Sequence, residues 1–272
     1  MTTILVNQDL CTRCGICAIV CPMRIVSPAG ENILPKVPDE KAGACIRCGH
    51  CEIHCPSQAL LLNYLADEKA PLPAGTGAIS PGDLGLYLKK RRSVRHFTKE
   101  LVPQETVAGI LDIARYAASG GNGQPVGWLV VLDPKEVHRF AGLVVDWMRT
   151  LEKSSHPMSG YVPGLIAAWE SGADPVCRGA PHLAIAHTPE GNPVAAVDAL
   201  IALTHFDIAA PAFGVGTCWA GFLSMAAKSY GPLRDALALP LGREYAYSLM
   251  FGYPQYKTYG IPRRNPVQVE WR

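Results

Sequence analysis

The stretch "CTRCGICAIVCP", Cys11 to Pro22, is spelled again in outline as "CIRCGHCEIHCP", Cys45 to Pro56. Each copy sets four cysteines in the order C-x2-C-x2-C-x3-C and follows the last with proline: Cys11, Cys14, Cys17 and Cys21, then Cys45, Cys48, Cys51 and Cys55. Eight of the ten cysteines therefore lie in two short runs. Thiols two residues apart converge on one small object, and the thiolate is the form that binds metal. A single C-x2-C is open to zinc or to a redox dithiol, and ten cysteines in a secreted chain are compatible with a disulfide framework. Four in this order, twice, is the spacing of thiolates that hold iron–sulfur clusters.

The repeated run resembles the bacterial two-cluster ferredoxins. The resemblance implies that the fourth cysteine of each run crosses over. Cys11, Cys14, Cys17 and Cys55 then hold one [4Fe–4S] cluster, and Cys45, Cys48, Cys51 and Cys21 hold the other. It also implies an electron-transfer unit that carries one electron at a time and binds no substrate itself. Gly15 and Gly49 read as points where the backbone passes close to a cluster, which a missing Cβ allows. His50 and His54 lie within the second run; with the ligand set already complete, they read as bystanders.

Working outward, the composition shifts after Leu65. The stretch "ADEKAPLPAGTGAISPGD" is rich in Pro and Gly and has no periodicity, so it reads as a linker. This gives a cysteine domain over 1–65, a linker over 66–82 and a second domain over 83–272. At the linker's end Ser80 is a candidate N-cap, with Pro81 at the first helical position and Asp83 completing a capping box. Beyond it the pattern is mixed. "ETVAGILDIARYAA" carries a helical stripe at Val107, Ile110, Leu111 and Ala114, and "PKEVHRFAGLVVDWMRTLEK" and "PVAAVDALIALTHFDIAAPAFG" also read as helices. "WLVVL" (128–132), "HLAIAH" (182–187) and "EYAYSLMFGY" (244–253) read as strands. The stretch 154–177 reads as irregular or loosely helical and is a candidate lid. In "GVGTCWAG" (214–221) Trp219 takes the third glycine's place, so the dinucleotide fingerprint G-x-G-x-x-G fails.

Apolar residues make up 49% of the chain and charged residues 18%, enough to bury a core and too little charge for wholesale disorder. Asp146 and Asp198 interrupt the longest apolar runs, so no membrane span is expected. The start, "MTTILVNQDL", lacks a basic region leading into an apolar one, and no secretory signal is expected; a cytoplasmic setting follows as an expectation. The formal charge is +2; two clusters with their thiolates, each carrying roughly −2, bring the sum to about −2. Nucleic acid is therefore not an expected partner.

Four segments after the linker resemble the nitroreductase family of FMN flavoproteins: "RRSVRHF" (91–97), "SGGNGQP" (119–125), "GVGTCWAGF" (214–222) and "FGYPQYKTYGIPRRNP" (251–266), with "RGAP" (178–181) ahead of a strand. The resemblance covers roughly Gly82 to Arg272. It implies an α+β fold, a mixed sheet flanked by helices, in an intertwined homodimer with FMN at the subunit interface. It implies that Arg91, Arg92, Ser93, Arg95, Arg263 and Arg264 grip the phosphate and ribityl chain, a task suited to forked guanidinium donors. It implies that Asn122 and Gln124 meet the pyrimidine edge of the ring with their amides, and that the backbone of Trp219, Ala220 and Gly221 approaches flavin N5. Ala220 stands where members using nicotinamide donors often carry Glu, so a ferredoxin-type donor is expected in place of NAD(P)H. The expected activity is reduction of a small electron-poor acceptor: a nitroaromatic, a quinone or an activated alkene. The alternatives are an electron-transfer module serving a partner protein and a reductive dehalogenase or flavin-modifying enzyme. Cys218, within the third segment, reads as a buried inert thiol, and Cys177 is open to either exposure or burial.

Overall fold

A computed structural model describes residues 4–30, 33–63 and 77–272. Its contacts divide the chain into two units: Met1–Gly77 with Gly121–Gly123, and Ala78–Gly120 with Gln124–Arg272. Residues 66–76 of the expected linker lie outside the described residues.

In the first unit, β1 (Ile4–Val6) and β2 (Leu60–Leu62) pair antiparallel, with Val6 opposite Leu60. Each cysteine run turns into a single helical turn, α1 (Ile16–Ile19) and α3 (His50–Ile53), and α2 (Asp39–Ala42) lies between them in sequence. Both α1 and α3 start directly after a left-handed glycine, Gly15 at φ 74° and Gly49 at φ 75°. An added Cβ at either point meets no protein atom, so what glycine supplies there is the positive φ. The buried core is small: Cys17, Ile25, Val26, Cys51, Leu60 and Leu62.

The second unit is a four-stranded antiparallel sheet in the order β3–β4–β6–β5, formed by β3 (Gly127–Val131), β4 (His182–Pro189), β5 (Gly216–Trp219) and β6 (Arg243–Gly252). Side chains alternate across it. On one face Leu183, Ile185 and Met250 pack against α6 (Pro134–Leu151), α9 (Gly221–Ser229) and α10 (Gly231–Leu237), meeting Phe140, Val144, Leu223 and Leu233. On the other, Ala184, Ala186, Leu249 and Phe251 pack against α5 (Gln104–Ala114) and α8 (Pro193–Ala209), meeting Ile110, Leu203 and Phe206. Each fully buried Leu or Phe contributes about 1.5–3 kcal/mol. Because β4 is covered on both faces, its sequence reads as one apolar run and not as an alternation.

Caps fix where these helices begin. α4 (Pro81–Lys90) starts at Ser80, whose Oγ accepts from Asp83 N–H at 3.0 Å. Asp133 accepts from Lys135 N–H ahead of α6, and Asn192 Oδ1 accepts from the N–H groups of Val194 and Ala195 ahead of α8. The span Pro193–Phe213 is long and apolar enough by composition to cross a membrane. Half of it is buried within the unit, and it carries Asp198 and Asp207, both buried. Val194, Val197 and Leu200 on α8 remain exposed.

Two regions go beyond the sequence reading. The stretch read as irregular or loosely helical, 154–177, contains α7 (Val162–Glu170), which buries Val162 and Ile166 one turn apart. Trp169 stacks on His138 of α6 with ring centroids 4.6 Å apart. The proline that obscured this helix sits in its first turn, where proline is tolerated. In the sheet, the β4–β6 register slips between Ala186 and His187: Ala186 faces Tyr247, His187 faces Tyr245, and Ala246 is left as the extra residue of a bulge.

Candidate functional site

All eight clustered cysteines are free thiols. Cys11, Cys14, Cys17 and Cys55 line one cavity, and Cys21, Cys45, Cys48 and Cys51 line another. Each leaves about 20 Å³ of open space between the side chains. Among the described residues, no group of three or more His, Cys, Asp or Glu side chains is placed to hold a single metal ion. Burial pushes the Cys51 thiol up to about 12, and the neighbouring Cys48, Cys21 and Cys45 push the same way. Burial also raises Cys17, with Cys14 and Cys11 adding to it. At Cys55 burial is outweighed by the Ser57 hydroxyl and backbone N–H groups, which hold the thiol below its ordinary value. Thiols crowded in this way resist ionising alone, and a shared cationic centre offsets that penalty. The rings of His50 and His54 stack at 5.5 Å on the exposed surface.

In the second unit, "RRSVR" and the Trp219–Gly221 turn are distant in sequence and adjacent on the sheet. Ser93 pairs with Thr217 in a parallel bridge, and Val94 N–H donates to the Thr217 carbonyl at 2.8 Å. Two residues further along each strand stand Arg95 and Trp219. The approach is close enough that a side chain at Gly216 would overlap Val94. Ser93 is half-buried, and Arg92 and Arg95 are exposed.

Arg91 points elsewhere. Its Nη1 lies 3.2 Å from Asp207 Oδ2, and Asp207 is buried. The same carboxylate accepts from the Thr217 hydroxyl and, at 3.4 Å, from Trp219 Nε1. Asp207 thus ties together Arg91 and two residues of "GVGTCWAGF". Sequence reading missed it, although an acid inside a long apolar helix was a usable signal, since a buried carboxylate needs partners.

The "SGGNGQP" segment forms a tight turn with Asn122 at φ 54° and Gln124 at φ 46°. Its frame comes from one side chain outside it and one within: Gly120 N–H donates to Asp198 Oδ1 at 3.0 Å, and Gln124 N–H donates to Ser119 Oγ at 3.0 Å. Asn122 falls with the first unit in the division by contacts and Gln124 with the second. Gln124, Asp198, Arg115 and Trp128 are among the residues lining a cavity of about 490 Å³ between α5 and α8. From the sheet side, Arg243 donates to the Pro125 carbonyl at 2.7 Å and to His187 Nδ1 at 2.9 Å. A side chain at Gly127 would collide with His187 and Arg243, which accounts for the glycine in "QPVGW". Burial, with Arg243 beside it, holds His187 below the ordinary imidazole value.

Cys218 and Cys177 are both buried, and burial raises the Cys177 thiol well above its ordinary value. Arg263 and Arg264 lie in an exposed tail without regular structure, where Arg264 donates to the Arg263 carbonyl.

Residues 88–253 match the family model described as "Nitroreductase family", and residues 10–60 match "4Fe-4S dicluster domain". An iodotyrosine deiodinase of Thermotoga neapolitana is 28% identical over 134 residues, which are 47% of this chain and 68% of that protein. Mouse iodotyrosine deiodinase 1 is 32% identical over 71 residues, 24% of this chain and only 25% of that protein. Among solved structures, a Bacteroides fragilis nitroreductase with bound FMN superposes with a TM-score of 0.55 at 20% identity, covering 69% of this chain and 99% of its own. An iodotyrosine deiodinase bound to FMN and 3-iodo-L-tyrosine superposes with a TM-score of 0.54 at 23% identity, covering 70% and 98%. These likenesses establish the α+β fold of the second unit.

Proposed function

The chain belongs to the nitroreductase family, and on that premise we propose that it is an oxidoreductase fed by its own iron–sulfur unit. Electrons enter at two [4Fe–4S] clusters, pass to FMN and reduce a small electron-poor acceptor such as a nitroaromatic, a quinone or an activated alkene. The observation that carries this reading is the pair of thiol quartets, each around its own cavity, in one chain with a unit of this family. When bound, the clusters supply electrons singly and FMN collects two for transfer.

The residues fit such a load. The exposed guanidinium groups of Arg92 and Arg95 suit phosphate oxygens, and Ser93 adds a hydroxyl. The Gln124 amide matches a pyrimidine edge. Gly221 offers its backbone N–H from a turn pinned to the same sheet edge as Arg95, while the Ala220 N–H is held by the Ser248 carbonyl. Asn122, Arg263 and Arg264 are assigned to FMN on the family resemblance alone. Arg91 serves by holding Asp207, and so Thr217 and Trp219, in place. With Ala220 where an acid accompanies nicotinamide use, the proposed donor is a ferredoxin-type redox protein. The exposed Val194, Val197 and Leu200 on α8 form a face that a second copy of the chain would cover. Ten free thiols fit a reducing cytoplasm.

A second reading, reductive dehalogenation of a small aromatic, is favoured by the deiodinase relatives. Protein purified without oxygen decides between outcomes. About one FMN and about eight irons per chain are expected, with acceptor reduction by the pre-reduced protein. Halide release from a haloaromatic without nitro or quinone turnover selects the second reading. Iron without flavin, even after incubation with excess FMN, overturns the assignment of Arg92, Arg95 and Gln124.

A further inference from the structure

By simple alternation Tyr245 belongs on the face of β6 that carries Tyr247, Leu249 and Phe251. The bulge at Ala246 reverses this. Tyr245 packs with Met250 and Leu223 on the α9 side, while Tyr247 stays with Leu249 and Phe251. Re-aiming a side chain is a common use of a bulge, and here the new direction has specific targets.

The Tyr245 hydroxyl lies 2.7 Å from Ser224 Oγ on α9 and 2.7 Å from Ser248 Oγ on β6. Ser224 Oγ donates to the Ala220 carbonyl at 3.0 Å, and that carbonyl also accepts Ser224 N–H at 3.0 Å. The Ala220 N–H donates to the Ser248 carbonyl at 3.0 Å. A hydroxyl has one proton to give. With the Ser224 proton committed to Ala220, Tyr245 donates to Ser224 and accepts from Ser248. The donors therefore run one way, from Ser248 through Tyr245 and Ser224 to the Ala220 oxygen. Ser224, Ser248 and Ala220 are buried. Burial, working against the two serine hydrogen bonds, holds the Tyr245 phenol above its ordinary value, so it remains a donor.

The Ala220 carbonyl and the Gly221 N–H belong to one conjugated peptide. Hydrogen bonds that draw electron density to the oxygen strengthen the N–H as a donor, and chained bonds polarise one another. Gly221 is the first residue of α9, so its N–H has no acceptor within the helix. We infer that Tyr245 is a positioning residue which, through Ser224, fixes and polarises the Ala220–Gly221 peptide and so sets the strength with which Gly221 N–H meets the flavin. This rests on the reading of the Trp219–Gly221 turn as the flavin-facing turn. An N–H dipole aimed at a ring that gains electrons favours the reduced form, so weakening the relay disfavours reduction.

The test uses the full chain with its clusters. Tyr245→Phe is expected to bind FMN with unchanged stoichiometry and to shift the flavin's reduction equilibrium toward the oxidised form by roughly fivefold, the scale of one neutral hydrogen bond. The shift is read by potentiometric titration at the flavin's visible band. Ser224→Ala should shift it the same way, and the double variant no further than Ser224→Ala alone, because Tyr245 acts through Ser224. An unmoved potential in Y245F, or additive shifts in the double variant, overturns the inference. A second arm needs no FMN: hydrogen exchange of the peptide over 219–223 should quicken by roughly fivefold in Y245F, and unchanged exchange also overturns it. Should Y245F not fold, Ser224→Ala carries both readouts, because it removes the contact through which Tyr245 reaches the Ala220 carbonyl; an unmoved potential and unchanged exchange in it overturn the inference. If the wild-type chain binds no FMN, the flavin reading fails, and the exchange arm still decides whether the relay fixes the peptide.

Discussion

The two units of this chain are held together by different means. In the first, the buried apolar cluster is Cys17, Ile25, Val26, Cys51, Leu60 and Leu62, and two of those six residues are thiols. Among the described residues its helices are single turns, too short to persist alone, and the sheet of β1 and β2 has three residues per strand. The second unit fills both faces of a four-stranded sheet with side chains such as Phe140, Met148, Phe206 and Phe251. The first unit's apolar core is small and part thiol, whereas the second unit's is built from large apolar side chains. Cooperativity should therefore break at the boundary between them.

The largest expected effect follows from that difference. Cys51→Ser removes a buried thiol that lines the second cavity among Cys21, Cys45 and Cys48. Losing a bound centre that completes a fold costs on the order of 10 kcal/mol. We expect the first unit to lose its protection against hydrogen exchange throughout, with iron content falling. The unfolding transition of the second unit should move by no more than about 0.5 kcal/mol. A joint collapse of both units in exchange mass spectrometry would contradict the comparison drawn here.

The next effect lies inside the second unit. Asp207 accepts from Thr217 and Trp219 and pairs with Arg91. Removing one member of such a pair strands the others, at about 3–5 kcal/mol for a fully buried pair. Since Arg91 is partly exposed, about 3 kcal/mol is expected for Asp207→Ala, measured by urea unfolding of the second unit. Asp207→Asn retains the shape and should cost less. Equal losses would mean that the charge on Asp207 is irrelevant.

How much of this was readable beforehand depends on the range of each feature. The thiol quartets come from spacings of two and three residues, so the sequence displays them directly. The flavin-family segments are visible as strings, but the bridge between Ser93 and Thr217 exists only once the sheet has formed. Asp207 was hidden because one acid in an apolar helix reads as an interruption, and its three partners come from two other segments. Tyr245 was hidden for a related reason: alternation along "EYAYSLMFGY" assigns it to the face of Tyr247, and the bulge that reverses this depends on the register with β4. The helix α7 was legible only loosely, because Pro163 and Gly164 blur its bounds although Val162 and Ile166 carry its buried face.

A pH effect probes the same sheet from its buried side. His182 accepts from Val102 N–H at 2.9 Å through Nε2, while Nδ1 donates to the Leu132 carbonyl at 3.0 Å. Both nitrogens are occupied by the neutral ring, and burial holds its pKa below the ordinary value, partly opposed by the Leu132 hydrogen bond. His187 is lowered as well. As pH falls through the ordinary imidazole value of about 6.5, the unfolded chain takes up protons that the folded chain refuses. Stability therefore declines on acidification through that window and is flat above it. Urea midpoints of the second unit measured across the window should show this slope. His182→Gln, which can make both hydrogen bonds without titrating, should reduce it.

The smallest effect is local. Asn192 Oδ1 satisfies the N–H groups of Val194 and Ala195 at 3.1 Å each, and α8 behind it packs against the sheet. Ser80 caps α4 in the same way, but α4 buries no residue. A cap of either kind contributes about 1 kcal/mol to its own helix. Only where the helix is part of the cooperative core does that loss appear in global unfolding. Asn192→Ala should therefore lower the stability of the second unit by about 1 kcal/mol, whereas Ser80→Ala should fray α4, seen as faster exchange over 81–84, and leave the global transition in place. If Ser80→Ala lowers global stability as much as Asn192→Ala does, α4 belongs to the core, and the boundary of the cooperative unit moves toward Ala78, where the contacts of the second unit begin.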